Sequence, residues 1–147
     1  MEIEIKLEPD RKEPKLVLYT GEITPEVEAL CRMLGQAGKK IPAWRGGQVF
    51  LLDQERVRDF YAEGGKVFAV AHGEKAPYQV RSRLYELEER LSGSSFLRVS
   101  HAQIVNFHMV ESLDMSVSGT ITLRYEGGGT AFVSRRYVNR IKSYLGL

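Results

Sequence analysis

A chain of 147 residues, 43% hydrophobic and 27% charged, holds enough apolar material for one core and a small appendage, and too little for two full domains. Its net charge of +2 is too small to announce a polyanionic partner, and the single cysteine, Cys31, excludes a disulfide framework or thiolate metal cluster and suits a reducing cytoplasm. No apolar run approaches the ~20 residues that span a bilayer, and Met1-Glu2-Ile3-Glu4-Ile5 lacks a basic-then-apolar export pattern.

From the N-terminus, Glu2 to Leu7 alternates charged and apolar residues, the period of a half-buried strand. Glu8 to Pro14 reads as a loop, and Lys15 to Tyr19 as a second short strand. Thr24-Pro25 is an N-cap followed by proline at the first helical position. Val27, Leu30, Cys31 and Leu34 then repeat at helical spacing, and Gly35 stands where the helix should stop. This ββα piece is too small to bury its apolar helix face alone, so it must dock on the remainder or on a second subunit. Gly35 to Lys40 is the most linker-like stretch, which divides the chain into residues 1–40 and 41–147.

The second part reads as mainly β. Ile41–Trp44 and Gln48–Leu52 are short strands, and Val57–Ala62 and Lys66–Ala71 form a hairpin closed by Gly64-Gly65. Tyr78–Val80 follows, then a helix capped by Ser82 with Leu84, Leu87 and Leu91 on one face. Phe96–Val99, Gln103–Phe107, Ser112–Ser118, Thr120–Tyr125 and Thr130–Val133 are strand-like. Ser134 can cap a final helix from Arg135, with Val138, Ile141 and Leu145 on its apolar side and Gly146 as its stop. Helices do not alternate with strands, which excludes a parallel α/β sheet.

The chemistry of an enzyme is missing. Gly127-Gly128-Gly129 lacks the Lys-Ser/Thr that follows a phosphate-binding loop. His72, His101 and His108 are not spaced to hold a metal, and no cofactor is implied. Cys31 lies on an apolar helix face as core packing, and Glu86, Glu88 and Glu89 read as a solvated helix face.

Charge distribution says more than net charge. Residues 95–147 carry six Lys/Arg against three Asp/Glu, whereas residues 1–41 carry seven against eight and residues 42–94 eight against eight. Arg135 and Arg136 sit at the start of the final helix, where the macrodipole is already positive and favours Asp or Glu. Two readings stay open: solvated arginines, or a site for an anion. Polar and basic groups also gather at two interstrand loops, Gly65-Lys66 and the Arg98-to-Gln103 segment around Ser100-His101. Such groups on a β scaffold suit phosphate and base edges, or equally a protein or small anion bound by a β-barrel adaptor.

Residues 45–147 resemble the LytTR DNA-binding domain. The resemblance rests on Phe96-Leu97-Arg98-Val99-Ser100-His101 leading into Ile104-Val105-Asn106, and on Val133-Ser134-Arg135-Arg136-Tyr137-Val138 ahead of the terminal helix. Upstream, Tyr61 stands where the family usually has an acidic residue. The resemblance implies an elongated β-sandwich that binds double-stranded DNA without a helix-turn-helix, loops entering successive major grooves, as homodimers on direct-repeat operators. Carried over by position, the contact groups are Gly65 and Lys66, then Arg98, Ser100, His101 and Gln103, then Ser134, Arg135 and Arg136, with Asn106 structural. Many members carry a receiver domain that residues 1–40 are too short to supply. The resemblance is to compact cytoplasmic regulators, often paired with a small membrane protein that holds them inactive. The short extension then serves dimerisation or partner docking.

Overall fold

The computed structural model describes residues 1–37 and 39–147. The first regular element is helix α1 (Pro25–Ala37). Thr24 caps it as expected, its hydroxyl accepting the Val27 amide at 3.3 Å. The helix runs through Gly35 rather than stopping there, and of the linker-like stretch Gly38 lies outside the described residues.

Strands β1 (Lys40–Arg45), β2 (Gln48–Asp53), β3 (Val57–Glu63), β4 (Lys66–Ala71) and β5 (Tyr78–Val80) follow. Then come helix α2 (Leu84–Arg90), strands β6 (Phe96–Ser100), β7 (Gln103–Asn106), β8 (Val110–Asp114), β9 (Ile121–Tyr125) and β10 (Thr130–Val133), and helix α3 (Val138–Leu145). Seven strands form one antiparallel sheet in the order β2-β1-β5-β4-β3-β7-β6, and β10-β9-β8 form a second. The architecture is mainly β with three short helices, as the sequence implies.

Two apolar cores share one wall. The first joins Ile41, Val57, Phe60, Ala69, Tyr78, Val80 and Ile104 to the Leu84-Leu87-Leu91 face of α2. The second joins Val99, Val105, Ile121, Leu123, Tyr125 and Val133 to Val138 and Ile141 of α3. Successive side chains of a strand point to opposite faces, so Ile104 enters one core and its neighbour Val105 the other, both fully buried. A β-bulge in β3 between Val57 and Asp59 breaks this parity and lets Val57 and Phe60, three residues apart, face the same core.

The N-terminal strands expected at residues 2–7 and 15–19 are not formed. Both segments lack ladder partners, and Ile3, Ile5 and Leu7 are at least 80% exposed. Alternation favours a strand only where a neighbouring strand supplies hydrogen bonds and an apolar surface, and neither segment has one. Helix α1 does pack, against β1, with Cys31 buried; Arg81 of the β5–α2 connection pairs with Glu28 and lies 4.3 Å over the Trp44 ring. Among the described residues no helix is long and apolar enough to cross a membrane.

Candidate nucleic-acid interface

The first corner is the β3–β4 hairpin. Glu63 pairs with Lys66, leaving Gly64 and Gly65 as a two-residue turn with φ of +59° and +75°. Such turns need positive φ at both positions, which is why glycine stands there. Tyr61 and Phe68 are cross-strand partners, their rings stacked at 5.3 Å, and they stiffen the stem. Lys66 is exposed and makes no ion pair among the described residues.

The second corner is the β6–β7 hairpin around Ser100 and His101. Its geometry is held from within by Arg98, whose Nε donates to the Ser100 carbonyl at 2.8 Å and Nη2 to the His101 carbonyl at 2.6 Å. Nη1 of the same side chain donates to Glu88 of α2 at 3.0 Å. Arg98 is only 10% exposed, so it sets the loop's shape instead of projecting from it. The Ser100 hydroxyl accepts the Ala102 amide at 3.2 Å, and Gln103 turns inward to donate to Asp59 at 3.2 Å. His101 is left exposed at the tip.

The third corner is Ser134-Arg135-Arg136, and here the expected helix start shifts. Arg135–Tyr137 form a single 3-10 turn, and α3 begins only at Val138. Ser134 does not cap it with its hydroxyl; that group reaches back to the Val99 carbonyl at 3.4 Å, beside the Ser134 amide, which donates to the same oxygen at 2.9 Å. Ser134 thus adds its hydroxyl to the backbone bond that already pins the chain to β6. Arg135 and Arg136 are both exposed, with Arg136 stacked 5.8 Å over the Tyr137 ring. At the far end α3 stops as expected. Gly146 takes φ +71°, its amide donates to the Ser143 carbonyl at 3.2 Å, and Leu147 donates to Lys142 at 2.8 Å.

These three corners share one end of the sheet. β4, β3, β7 and β6 are consecutive neighbours, and the Ala62 amide donates to the Ala102 carbonyl at 2.8 Å, so the two hairpins turn at the same end. The Ser134–Val99 bond adds the third beside β6. At ~4.8 Å per strand, β4 and β6 lie about 14 Å apart. Lys66, His101, Arg135 and Arg136 therefore form one exposed polar row, with Arg98 and Gln103 behind it.

Behind the row sits a buried polar centre that the sequence did not announce. Asp59, 2% exposed, accepts from Gln103, from the Tyr125 hydroxyl at 3.0 Å and from Arg58 at 3.3 Å, all on Oδ2. The Arg58 guanidinium also lies 4.3 Å over the Tyr125 ring. Burial raises the Asp59 carboxyl pKa above its usual range, with Arg58, Tyr125 and Gln103 pulling it back in part, and Tyr125 is raised so far that it stays a donor. Asn106, fully buried, accepts from Ser95 at 2.7 Å and from the His108 amide at 3.1 Å, and donates to the Val57 carbonyl at 2.9 Å. Its structural place matches expectation.

Glu88 corrects the reading of α2 as a solvated acidic face. Its Oε2 meets Arg98, and its Oε1 lies 3.5 Å from Nη1 of Arg140 in α3. Glu86 accepts the Arg83 backbone amide at 3.1 Å, closing the start of α2 one residue beyond Ser82.

A mainly antiparallel β scaffold that presents three polar corners at one end of its sheet defines the class of protein. Residues 47–146 match the LytTr DNA-binding domain family, and the chain belongs to that family. The fold is similar to the LytTr DNA-binding domain of a methyl-accepting/DNA response regulator from Bacillus cereus, with a TM-score of 0.69 at 20% identity over 74% of this chain and 97% of that one. Over its whole length the chain is 22% identical to an uncharacterised HTH-type transcriptional regulator of Staphylococcus aureus (strain COL), covering 99% of that relative; the protein of the same description from strain MW2 matches to the same extent. In the present chain, strands separate α1, α2 and α3, and no helix-turn-helix pair occurs among the described residues.

Proposed function

We propose that this chain is a sequence-specific regulator of transcription that binds double-stranded DNA with loops and the approach to its final helix, without a helix-turn-helix. The observation that carries the reading is the polar row at one end of the sheet. Lys66 and the two arginines supply phosphate or guanine-edge donors, and His101 and Ser100 supply groups that bond base edges. In this reading Gly65 lets the backbone approach, Ser134 sets the direction of Arg135 and Arg136, and Arg98 and Gln103 position the middle hairpin. The family and the names of the Staphylococcus aureus relatives support the regulator reading. The chain would act in the cytoplasm as a homodimer on direct repeats, its corners entering successive major grooves. Residues 1–40 serve dimerisation or docking of a membrane protein that holds the regulator inactive, and residues 41–147 bind DNA. The exposed apolar side chains of residues 3–18 support that division.

Selection of bound sequences from random duplex DNA tests the reading; an enriched motif with affinity falling linearly against log salt is expected. Absence of any motif at moderate salt would favour a basic adaptor surface instead. On the selected operator, Arg136→Ala should cost about 1–3 kcal/mol and relax discrimination at one base pair if Arg136 reads a base. Equal loss on all sequences, with the salt slope reduced by about one unit, would assign it to phosphate.

A further inference from the structure

We infer that Glu88 is a positioning residue that fixes two of the three corners to one another. The inference rests on the DNA-reading surface proposed above and adds a component outside it. α2 and α3 both contact β6, the last strand of the seven-stranded sheet, and α3 belongs to the second core while α2 belongs to the first. Glu88 is the acidic group that spans them, with one carboxylate oxygen 3.0 Å from Arg98 and the other 3.5 Å from Arg140. Each arginine leads to a corner. Arg98 holds the Ser100 and His101 carbonyls, and so the tip of the middle hairpin. Arg140 lies on α3, one turn beyond the 3-10 segment that carries Arg135 and Arg136.

The Glu88–Arg98 contact is a charge-assisted hydrogen bond whose arginine is largely shielded from water, where such a bond is stronger than at the surface. Arg140 is 56% exposed and contributes less by itself, but it shares the carboxylate and completes the bridge. Glu88 adds little to the core, because Leu84, Leu87 and Leu91 supply the packing of α2. Its carboxylate therefore acts on the spacing between His101 and Arg136 more than on folding. Loss of the bridge removes the tie from α2 to both corners, leaving Arg98 held by the Ser100 and His101 carbonyls and the third corner held to β6 by the Ser134–Val99 bond.

The test uses the full chain and compares its selected operator with a scrambled duplex at one salt concentration. Glu88→Gln should lower the operator preference about three- to tenfold, a coupling of the size seen between residues of one network. Affinity for the scrambled duplex should hold or rise, since a negative charge is removed. Glu88→Asp should restore part of the preference. In a chain already carrying His101→Ala and Arg136→Ala, Glu88→Gln should change the preference no further. Equal shifts on both duplexes, or the full effect persisting in that background, would overturn the inference, because Glu88 would then act through bulk charge alone. In the DNA-free protein, the Arg98 Nε–H resonance should shift and lose exchange protection in Glu88→Gln. If the wild-type chain shows no operator preference the DNA reading fails, and this resonance still decides: movement supports the bridge to the hairpin, and an unmoved signal overturns it.

Discussion

Tyr125 and Asp59 meet across 66 residues of sequence, and no local pattern could have paired them. The same is true of Glu88, which looks like any solvated glutamate until β6 brings Arg98 beside it. Asn106 was legible only through the Ile-Val-Asn motif of the LytTR resemblance, which implies a structural residue there; in the structure its side chain accepts the His108 amide and ties down the turn after β7. Tyr125→Phe removes the one neutral hydroxyl that Asp59 accepts from and should cost about 1–3 kcal/mol in urea denaturation. The pH dependence follows from the direction of the Asp59 shift. The folded protein holds that proton more tightly than the unfolded chain, so its favourable contribution is complete below the ordinary carboxylate range and is lost as pH rises through the raised pKa. Asp59→Asn abolishes this titration. Measured from about pH 7 down to about pH 4, wild-type stability should therefore rise relative to the variant, the reverse of an ordinary salt-bridged carboxylate.

Among elements, the ones the sequence described well are those whose signals are local. The Gly64-Gly65 hairpin, the leucine face of α2 and the Gly146 stop all depend on residues a few positions apart. Gly65→Ala forces a methyl group onto a residue at φ +75°, and about 1 kcal/mol of stability should be lost although no neighbour obstructs the added carbon. Equilibrium denaturation reads this cost, and the Ser100-His101 hairpin should keep its amide chemical shifts. The segments 2–7 and 15–19 show the opposite case, a strand pattern without a strand to pair with. The start of α3 moved for a related reason. A bond to Val99, 35 residues away, claims the Ser134 hydroxyl that a local reading assigns to capping.

For the molecule as a whole, the regular strands were legible but their order was not, because an antiparallel pattern does not say that β5 inserts between β1 and β4. The candidate site depended on that order, since the β4-β3-β7-β6 succession sets two separate polar hairpins at one end of the sheet and the Ser134–Val99 bond adds the third corner beside them. Residues 1–24 contribute no strand to either sheet. Their deletion should leave the denaturation midpoint of the body within about 0.5 kcal/mol of wild type. If they hold two copies together, sedimentation velocity will show the same deletion favouring the lighter species, and an unchanged profile would remove dimerisation from their role.

The wall of β6 and β7 has a further consequence. Each of its two strands gives neighbouring side chains to different cores, so neither half of the body owns a complete interior. Loosening one half strips the other of its lining, so the three corners should be lost together, in a single unfolding transition.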